Sequence, residues 1–355
     1  MVLKTGSAVP PQSADTLVQH VHGNIYCATP VETGSAPKSI TDFRPISVTP
    51  ILTRMMERTV VRSFIYPTFH SPPPNLTFND QFAFRPTGST TSTIIYFLHT
   101  ITSMLANNPY VIVISLDFSN AFDTVRHSSM LHKLEQLGIP DNVYNWFVDY
   151  FNGHCHSTMY GGSESTPRSI NASVVQGSGV SPATYVVTAS DLQPLTLNRL
   201  VKYADYTYII VPASCADKRC SEIDHVESWA RENNLQLNRT KAREIIFTDK
   251  RRKQGMPELS TLPDVARVSS LKILGITITN GLLASEHVRD VISNSAQTLH
   301  ALRVLRAHGI PDEALQVVFR SVVVGRLLTG CFMRPARGVA SSLPLTVSGR
   351  RLPPA

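Results

Sequence analysis

The sequence predicts an α+β protein, in which short strands and amphipathic helices share one chain. The first observation is a β-branched run, Tyr110–Leu116, with the pattern of a buried strand, which ends in Asp117. The second is the stretch 200–212, whose two strand-like halves meet at a bend that contains Asp205. The third is apolar residues at helical spacing in the segments before, between and after these strands.

Length and charge set the first limits on function. With 355 residues and 42% hydrophobic composition, the chain can bury a sizeable core, which we expect to be divided over two or three subdomains. A net charge of +7 and a sequence pI of about 9.2 suit a surface that binds phosphate backbones. They equally suit an ordinary basic protein, so charge alone does not decide between these classes.

Cysteine spacing and apolar runs bear on the compartment. The five cysteines are scattered, with neither a CxxC pair nor a full zinc-binding Cys/His spacing, so we expect reduced thiols in an intracellular protein. No apolar run has the length of a signal-peptide core or a membrane span, so we expect neither export nor membrane insertion. Lys250-Arg251-Arg252-Lys253 comes closest to a basic targeting cluster and is equally a solvated loop.

The elements follow in order from the amino terminus. Residues 1–37 are rich in Pro, Ser, Thr and Gly and predict an irregular lead-in. A Pro-marked loop after Ile40 precedes an amphipathic helix, which Pro72–Pro74 cannot continue, and a new helix is predicted from about 90 to 105. Further elements are predicted on the same grounds: a helical region 127–151, a hairpin 155–175 around Gly161-Gly162, a helix after QGSGVSP, a helix 222–233, strands in REIIFTD and LKILGITIT, and a helical pair 286–330 interrupted at Gly309–Pro311.

Asp117 and Asp205 carry the sharpest chemical interpretation. Each lies where a predicted strand meets a turn. Brought together, two such carboxylates could hold a pair of Mg²⁺ ions that bind the attacking and leaving oxygens of a phosphoryl transfer. The alternative is that Asp117 caps a turn and Asp205 fills a hairpin bend, both ordinary tasks for aspartate.

Several segments in and around the two aspartates occur in a fixed order: ITDFRPISVTPILTRMMERTVVR, NDQFAFRPTGSTTSTIIYFLHTI, SLDFSNAFDTV, VVQGSGVSPATYVVTASDL, KYADYTYIIVP, NNLQLNRTKAREIIF and LKILGITIT. Together they resemble the ordered sequence blocks of non-LTR (LINE-type) retrotransposon reverse transcriptases. The resemblance covers roughly residues 36–330, and several ordered motifs are far more specific than one short pattern.

The resemblance implies a right-hand polymerase fold and an RNA-directed DNA polymerase. Its parts would be fingers (38–110), a palm with an antiparallel sheet (111–280) and a fingers insertion near 127–165, and a partial helical thumb (281–330), between the lead-in 1–37 and an irregular tail 331–355. The enzyme would extend a DNA primer on an RNA template with deoxynucleoside triphosphates and two Mg²⁺ ions. A nuclear location follows by the same analogy, whereas the oligomeric state is not implied.

The resemblance also implies roles for individual residues. Asp117 and Asp205 match metal-binding aspartates, and the backbone carbonyl of Phe118 would bind the same ion. Phe122 matches the bulky residue that blocks a ribose 2′-OH, although a core aromatic is the plain alternative. Lys241 matches a lysine that protonates the pyrophosphate leaving group, although a surface lysine is the simpler account.

Two further groups match nucleotide-binding blocks. Gln176 and Gly177 lie in the block that packs against the template strand and the incoming base, where small residues allow the backbone to approach closely. Arg44, Arg54 and Arg85 lie in the fingers blocks, where arginine suits the triphosphate or the template through its fixed set of donors. Each arginine is also compatible with a solvated or salt-bridged role.

One residue departs from the family pattern at its centre. The family has two adjacent aspartates at the hairpin bend, whereas here Asp205 is followed by Tyr206, which is neutral near pH 7 and a poor ligand for Mg²⁺. We expect neither Asp123 nor Asp191 to replace the missing carboxylate. The chain is therefore predicted to be either a polymerase of doubtful activity or a catalytically inactive nucleic-acid-binding remnant.

The carboxyl-terminal text departs from the pattern as well. Hydrophobic periodicity stops near Thr329, and the following residues are rich in Pro, Arg, Ser and Gly. A frameshift, or a degraded or truncated copy that folds poorly, is the corresponding hypothesis.

Overall fold

A computed structural model of the chain describes residues 2–6, 24–28, 44–153, 155–160, 163–164, 166–249 and 259–331. The predicted tail beyond Cys331, the basic cluster Lys250–Lys253 and the turn Gly161-Gly162 lie outside these residues. Within them strands and helices are mixed, which confirms the α+β class.

The strands are numbered in chain order. They are β1 (Val2–Gly6), β2 (Asn24–Ala28), β3 (Arg44–Val48), β4 (Tyr110–Leu116), β5 (Phe118–Ser119), β6 (Cys155–Tyr160), β7 (Ser163–Glu164), β8 (Arg168–Ser169), β9 (Arg199–Tyr203), β10 (Tyr206–Pro212), β11 (Gln236–Leu237), β12 (Arg243–Thr248), β13 (Ala266–Val268), β14 (Ser270–Ile273) and β15 (Ile276–Thr279).

The α-helices are numbered in the same way. They are α1 (Ile51–Val60), α2 (Tyr66–Thr68), α3 (Thr90–Asn107), α4 (Ala121–Thr124), α5 (His127–Gln136), α6 (Asp141–Phe151), α7 (Ser181–Thr188), α8 (Arg219–Glu232), α9 (Ser285–Ala307), α10 (Asp312–Val318) and α11 (Gly325–Cys331). Two π-helical turns, Val61–Ile65 and Phe319–Val324, and two 3₁₀ turns, Ala189–Asp191 and Ala213–Lys218, extend four of them.

The central sheet has the strand order β13-β12-β4-β10-β9. Its pairs are antiparallel except for the parallel pair of β12 and β13. β4 is buried along nearly its whole length, and an almost continuous apolar run is what a strand covered on both faces requires. Part of the cover comes from α3, whose Phe97 lies edge-on to Tyr208 of β10 with the ring centroids 5.6 Å apart. The strand predicted at Tyr110–Leu116 is confirmed with the same bounds.

A second sheet corrects the prediction of an irregular lead-in. β1 and β2 lie within residues 1–37, and β3 forms where a loop was expected. The sheet runs β3-β2-β1-β6-β7, with β8 also paired to β6. β1 pairs antiparallel with β6, a partner about 150 positions later in the chain. Short strands with so distant a partner leave little local signal in a Pro- and Gly-rich sequence.

The helical region predicted at 127–151 is two helices. α5 is followed by Gly138, whose φ of +64° lies in the left-handed region, and Pro140 then stands at the start of α6. A glycine just past one helix and a proline at the start of the next are strong local end and start signals. The predicted helical region is therefore confirmed, with an interruption at this Gly-Ile-Pro step that the prediction did not specify.

The chain divides into two compact units. The first comprises residues 1–275 and 279–282, and the second comprises 276–278 and 283–355. Within the second unit α9 ends at Ala307, before Gly309, and Arg326 of α11 donates from Nη1 to Thr298 Oγ1 of α9 at 3.2 Å. Among the described residues no helix combines the length and hydrophobicity that crossing a lipid bilayer requires.

A buried ion network ties the edge of the central sheet to α8. Glu244 of β12 is fully buried, and it accepts hydrogen bonds from the guanidinium groups of Arg219 and Arg267, the latter at 2.7 Å. Both arginines also donate to the carbonyl oxygen of Ser260, at 3.2 and 2.7 Å. A buried charge is tolerable only when it is paired and hydrogen-bonded in this way.

We predict that Glu244→Gln lowers the free energy of unfolding by about 3–5 kcal/mol, because it leaves the buried Arg219 without its counter-charge. The measurement is urea denaturation followed by circular dichroism. Glu227→Gln is the matched control, since it breaks a partly exposed pair with Arg239 and should cost less than about 1 kcal/mol. Equal losses in the two variants would contradict a special contribution from the buried network.

Candidate active site

Asp117 follows the last residue of β4, directly beside β10. The two strands pair with Thr207 opposite Leu116, so the next step along both strands brings Asp117 to the level of Tyr206. The side chain of Asp117 is 24% exposed. A carboxylate thus emerges at the end of a buried strand, as the sequence predicted.

Asp205 occupies the turn between β9 and β10. Tyr203 and Tyr206 pair across this turn, which leaves Ala204 and Asp205 as its two central residues. Ala204 has a φ of +53°, in the left-handed region that tight hairpin turns use. Asp205 is therefore held at the same end of the sheet as Asp117.

The buried Tyr185 of α7 lies close to both carboxylates. Burial raises the pKa of its phenol, and the negative charges of Asp205 and Asp117 raise that pKa further. The phenol of Tyr185 therefore interacts electrostatically with both carboxylates, as expected if they face a common site.

Tyr206 stands where the family pattern has the second hairpin carboxylate, and the residue is 44% exposed. Across the described ranges, no three His, Cys, Asp or Glu side chains lie close enough together to hold a metal ion. Asp117 and Asp205 supply two carboxylates, the oxygen ligands that a hard divalent cation prefers. Tyr206 adds no third carboxylate, and the pair of Mg²⁺ ions stays a prediction.

Asp123 and Asp191 are engaged elsewhere. Asp123 accepts a hydrogen bond from Gln176 Nε2 at 2.9 Å. Asp191 Oδ1 accepts from Lys133 Nζ at 2.7 Å and from the indole Nε1 of Trp229 at 2.8 Å. Both carboxylates therefore hold parts of the protein together.

Lys241 lies beside the first aspartate. Its Nζ is 3.8 Å from Asp117 Oδ2, and its side chain is 61% exposed. The backbone N–H of Asn238 in the same turn donates to the carbonyl oxygen of Asp117 at 2.9 Å. The structure thus brings Lys241 to the site, whereas its role as proton donor stays a prediction.

Phe122 projects from α4, five positions after Asp117. Its ring stacks on Tyr185, with the centroids 4.6 Å apart, and meets the ring of Phe84 edge-on at 6.1 Å. Phe118 is buried, and its ring contacts the ring of Trp229. The metal-binding role of its backbone carbonyl stays a prediction. A half-buried Phe122 suits a packed aromatic and also a wall beside the carboxylates.

The loop that contains Gln176 and Gly177 is tied to α4. The N–H of Val174 donates to the carbonyl oxygen of Phe122 at 2.7 Å, next to the bond between Gln176 and Asp123. Gly177 has a φ of +106°, which only glycine adopts readily. The predicted nucleotide-binding loop therefore lies next to Phe122.

Two of the three predicted arginines bind carbonyl oxygens of the protein. Arg54 donates from Nη2 to the carbonyl of Thr49 at 3.2 Å, and Arg85 donates from Nη1 to the carbonyl of Gln81 at 3.2 Å. Burial lowers the pKa of the Arg85 guanidinium. Arg44 lies in β3, and its side chain is outside the described part. Contacts of these arginines with a nucleotide stay predictions.

Gln81 was missed by the sequence analysis. Its side chain is buried, and Oε1 accepts from the N–H groups of Ala83 at 3.0 Å and Ala204 at 3.3 Å. The neighbouring Asp80 pairs with the buried Lys202 of β9 at 2.9 Å. A segment from the predicted fingers therefore holds the turn that carries Asp205.

Glu57 was missed as well. It is 1% exposed, and its Oε2 accepts from Ser178 Oγ at 2.9 Å and from the N–H of Gly179 at 2.5 Å. The signal in the sequence was the position of Glu57 on the helix. It precedes the buried Val61 and Ile65 by one and two helical turns, and so lies on the same face. A charged residue on the apolar face of a helix indicates a buried polar contact.

Comparisons with known proteins agree with this geometry. Residues 36–278 match the family described as reverse transcriptase (RNA-dependent DNA polymerase). The chain is 27% identical over 281 residues to the RNA-directed DNA polymerase from mobile element jockey of Drosophila melanogaster, covering 73% of this chain and 29% of that protein. It is 25% identical over 267 residues to the probable RNA-directed DNA polymerase from transposon X-element of the same organism, with the same coverage. The chain thus spans less than a third of the length of these relatives.

The fold has a solved counterpart. The apo telomerase from Candida tropicalis superposes with a TM-score of 0.53 at 11% identity, covering 79% of this chain and 50% of that one. This likeness supports the right-hand polymerase fold. Since the family match covers more than half of the sequence, the chain belongs to the reverse transcriptase (RNA-dependent DNA polymerase) family.

Proposed function

We propose that this chain is the polymerase domain of a non-LTR retrotransposon reverse transcriptase that extends a DNA primer on an RNA template, slowly because of Tyr206. The observation that carries the proposal is the meeting of Asp117 and Asp205 at one end of the sheet, with a tyrosine in the adjoining position. The relatives named as RNA-directed DNA polymerases of mobile elements support the same assignment.

The residues around the carboxylates suit the binding of a deoxynucleoside triphosphate. Asp117 and Asp205, with the carbonyl of Phe118, would hold a divalent cation, Mg²⁺ by preference for oxygen ligands. When bound, such an ion stabilises negative charge on the attacking and leaving oxygens. Phe122 would stand against the sugar, and Lys241 would offer a proton to the departing pyrophosphate.

The template and primer would be held mainly through their phosphates. The net charge of +7 favours such a complex and makes its affinity fall with rising salt. Gln176 and Gly177 would contact the template and the incoming base, and Arg44, Arg54 and Arg85 the triphosphate or the template. A nuclear location is proposed by analogy with the family.

A second candidate function is a catalytically inactive nucleic-acid-binding protein. It is favoured by Tyr206 itself, a neutral residue beside Asp205. Without the third carboxylate, the ions expected for the family have one acidic ligand fewer, and repulsion among the phosphates is less well offset. A loss of several kcal/mol in the transition state would leave binding intact, and each ~1.4 kcal/mol slows the reaction tenfold.

We predict that Tyr206→Asp raises the rate of primer extension by about 100-fold, because it restores the missing acidic ligand. The measurement is extension of a labelled DNA primer on an RNA template, with Mg²⁺ and separately with the more permissive Mn²⁺. Asp117→Ala should abolish extension in either background.

Asp217→Ala is the matched control, since this exposed aspartate follows the opposite end of β10 and should leave the rate unchanged. Extension by the unaltered chain, lost in Asp117→Ala, would mean that two aspartates suffice. Silence in both the unaltered chain and Tyr206→Asp, with salt-dependent binding of the primer–template, would overturn the polymerase in favour of the binding protein.

We predict that Phe122→Val, made in the Tyr206→Asp chain, narrows the preference for deoxynucleotides over ribonucleotides by about tenfold or more, because it opens space at the sugar. The ratio of the two kcat/KM values is the readout. Phe97→Leu is the control, since it shortens a buried aromatic that packs on Tyr208 instead. An unchanged ratio in Phe122→Val would leave Phe122 as a core residue only.

A further inference from the structure

The buried carboxylate of Glu57 lies outside the proposed chemistry, yet it contacts the loop on which nucleotide binding would depend. It belongs to α1, more than a hundred positions before that loop. Its Oε2 accepts from Ser178 Oγ and from the N–H of Gly179. Two donors of the loop therefore converge on one carboxylate oxygen.

Further hydrogen bonds orient the hydroxyl of Ser178, which donates to Glu57. The phenol of Tyr150 donates to Ser178 Oγ at 3.0 Å, and the N–H of Val180 does so at the same distance. Tyr150 and Ser178 are both buried. Since the hydroxyl accepts two bonds and donates its own proton to Glu57, its orientation is determined.

The helix and the loop are also in direct contact. A Cβ added at Gly179 would lie 3.1 Å from Glu57 Cβ and 3.1 Å from the carbonyl oxygen of Arg54. Such spacing is tighter than side chains normally tolerate, so only glycine lets α1 approach the loop this closely. Thr49, just before α1, adds a hydrogen bond to the carbonyl of Gly177 at 3.4 Å.

The other end of the same loop is bound to the candidate active site. The N–H of Val174 donates a hydrogen bond to the carbonyl of Phe122, and the side-chain amide of Gln176 donates one to the carboxylate of Asp123. Residues 174–180 therefore run from the helical turn of Phe122 to the buried carboxylate of α1. Any freedom gained at Glu57 reaches Gln176 and Gly177 directly.

The charge on Glu57 does not favour folding. Burial raises the pKa of its carboxyl, and the hydrogen bonds from Gly179 and Ser178 and the charge of Arg54 offset this only in part. A raised pKa in an acid means that the protonated form is preferred in the folded state, so the stability it contributes is present below the unfolded pKa and is lost as pH rises through the folded pKa. Near neutral pH an ionised Glu57 is thus a cost to stability.

We propose that Glu57 is a positioning residue for nucleotide binding, which holds loop 176–180 against α1 in the geometry that receives the incoming deoxynucleotide. The inference rests on the proposed function for its substrate. It assigns to a fingers helix the task of fixing the nucleotide-binding loop through one buried charge.

The test is the affinity of the chain for dTTP on an RNA template with a dideoxy-terminated DNA primer, which needs no chemical step. Glu57→Gln keeps the shape and weakens the charge-assisted bonds, so the Kd for dTTP is expected to rise about tenfold. In the Tyr206→Asp chain the same change should raise KM by a similar factor and alter kcat by less than about threefold. The thermal midpoint should stay level or rise, because a buried charge has been removed.

Glu222→Gln is the matched control. Glu222 is equally buried, and it accepts from the N–H of Leu195 at 2.9 Å and from Asn198 Nδ2 at 2.8 Å, away from the loop. It should leave Kd and KM unchanged. Gly179→Ala, which forces the loop off α1, should reproduce the effect of Glu57→Gln.

Hydrogen exchange of the peptide that contains residues 174–182 separates the two proposals. Faster exchange in Glu57→Gln, with none in Glu222→Gln, supports the loop-holding role even if the unaltered chain binds no dTTP, a result that would instead refute the proposed function. Equal dTTP affinity in Glu57→Gln and the unaltered chain, or unchanged exchange of this peptide, would overturn the positioning role.

Discussion

The antiparallel pairing of β4 and β10 is the constraint on which the candidate site depends. Its register sets Leu116 opposite Thr207, and so brings the residue after one strand to the level of the turn before the other. Side chains alternate across a sheet with a period of two, so a shift of one residue would turn every side chain of one strand to the opposite face. Close packing of particular side chains against the sheet, such as Phe97 on Tyr208 of β10, opposes such a shift. The sheet core thus determines which two carboxylates can meet.

Several buried charged side chains of the first unit connect a loop to a helix or a strand. Lys133 of α5 donates to the carbonyl of Thr188 at 2.5 Å and to Asp191, and Lys202 of β9 donates to the carbonyls of Ala189 and Leu192. Glu57 does the same for the loop after Gln176. Such groups must be fully hydrogen-bonded, so each one admits few alternative loop positions. The geometry around the sheet end is held by polar contacts, while the apolar core supplies the stability.

Sequence reasoning was most successful where the signal is local. The strand 110–116 was predicted with correct bounds because β-branched residues run without interruption to Asp117. It failed where the partner is distant, as for β1 and β2, and it did not locate the break at Gly138 and Pro140 within the correctly predicted helical region. The motifs pointed to Asp117 and Asp205, whereas Gln81 and Glu57 lie inside matching segments without an assigned role, because their importance arises from contacts made only after folding. Phase on a helix was the one clue, and it shows that a residue is buried without showing what it binds.

The exposure of Tyr206 has a consequence for how much of the folded protein accumulates in a cell. Tyr206 is 44% exposed at the end of a hairpin, so it is not one of the buried core residues. Chaperones and proteases act on the unfolded fraction of a protein, and they do not respond to a loss of catalytic activity. A copy carrying this tyrosine would therefore accumulate as readily as one with aspartate at the same position.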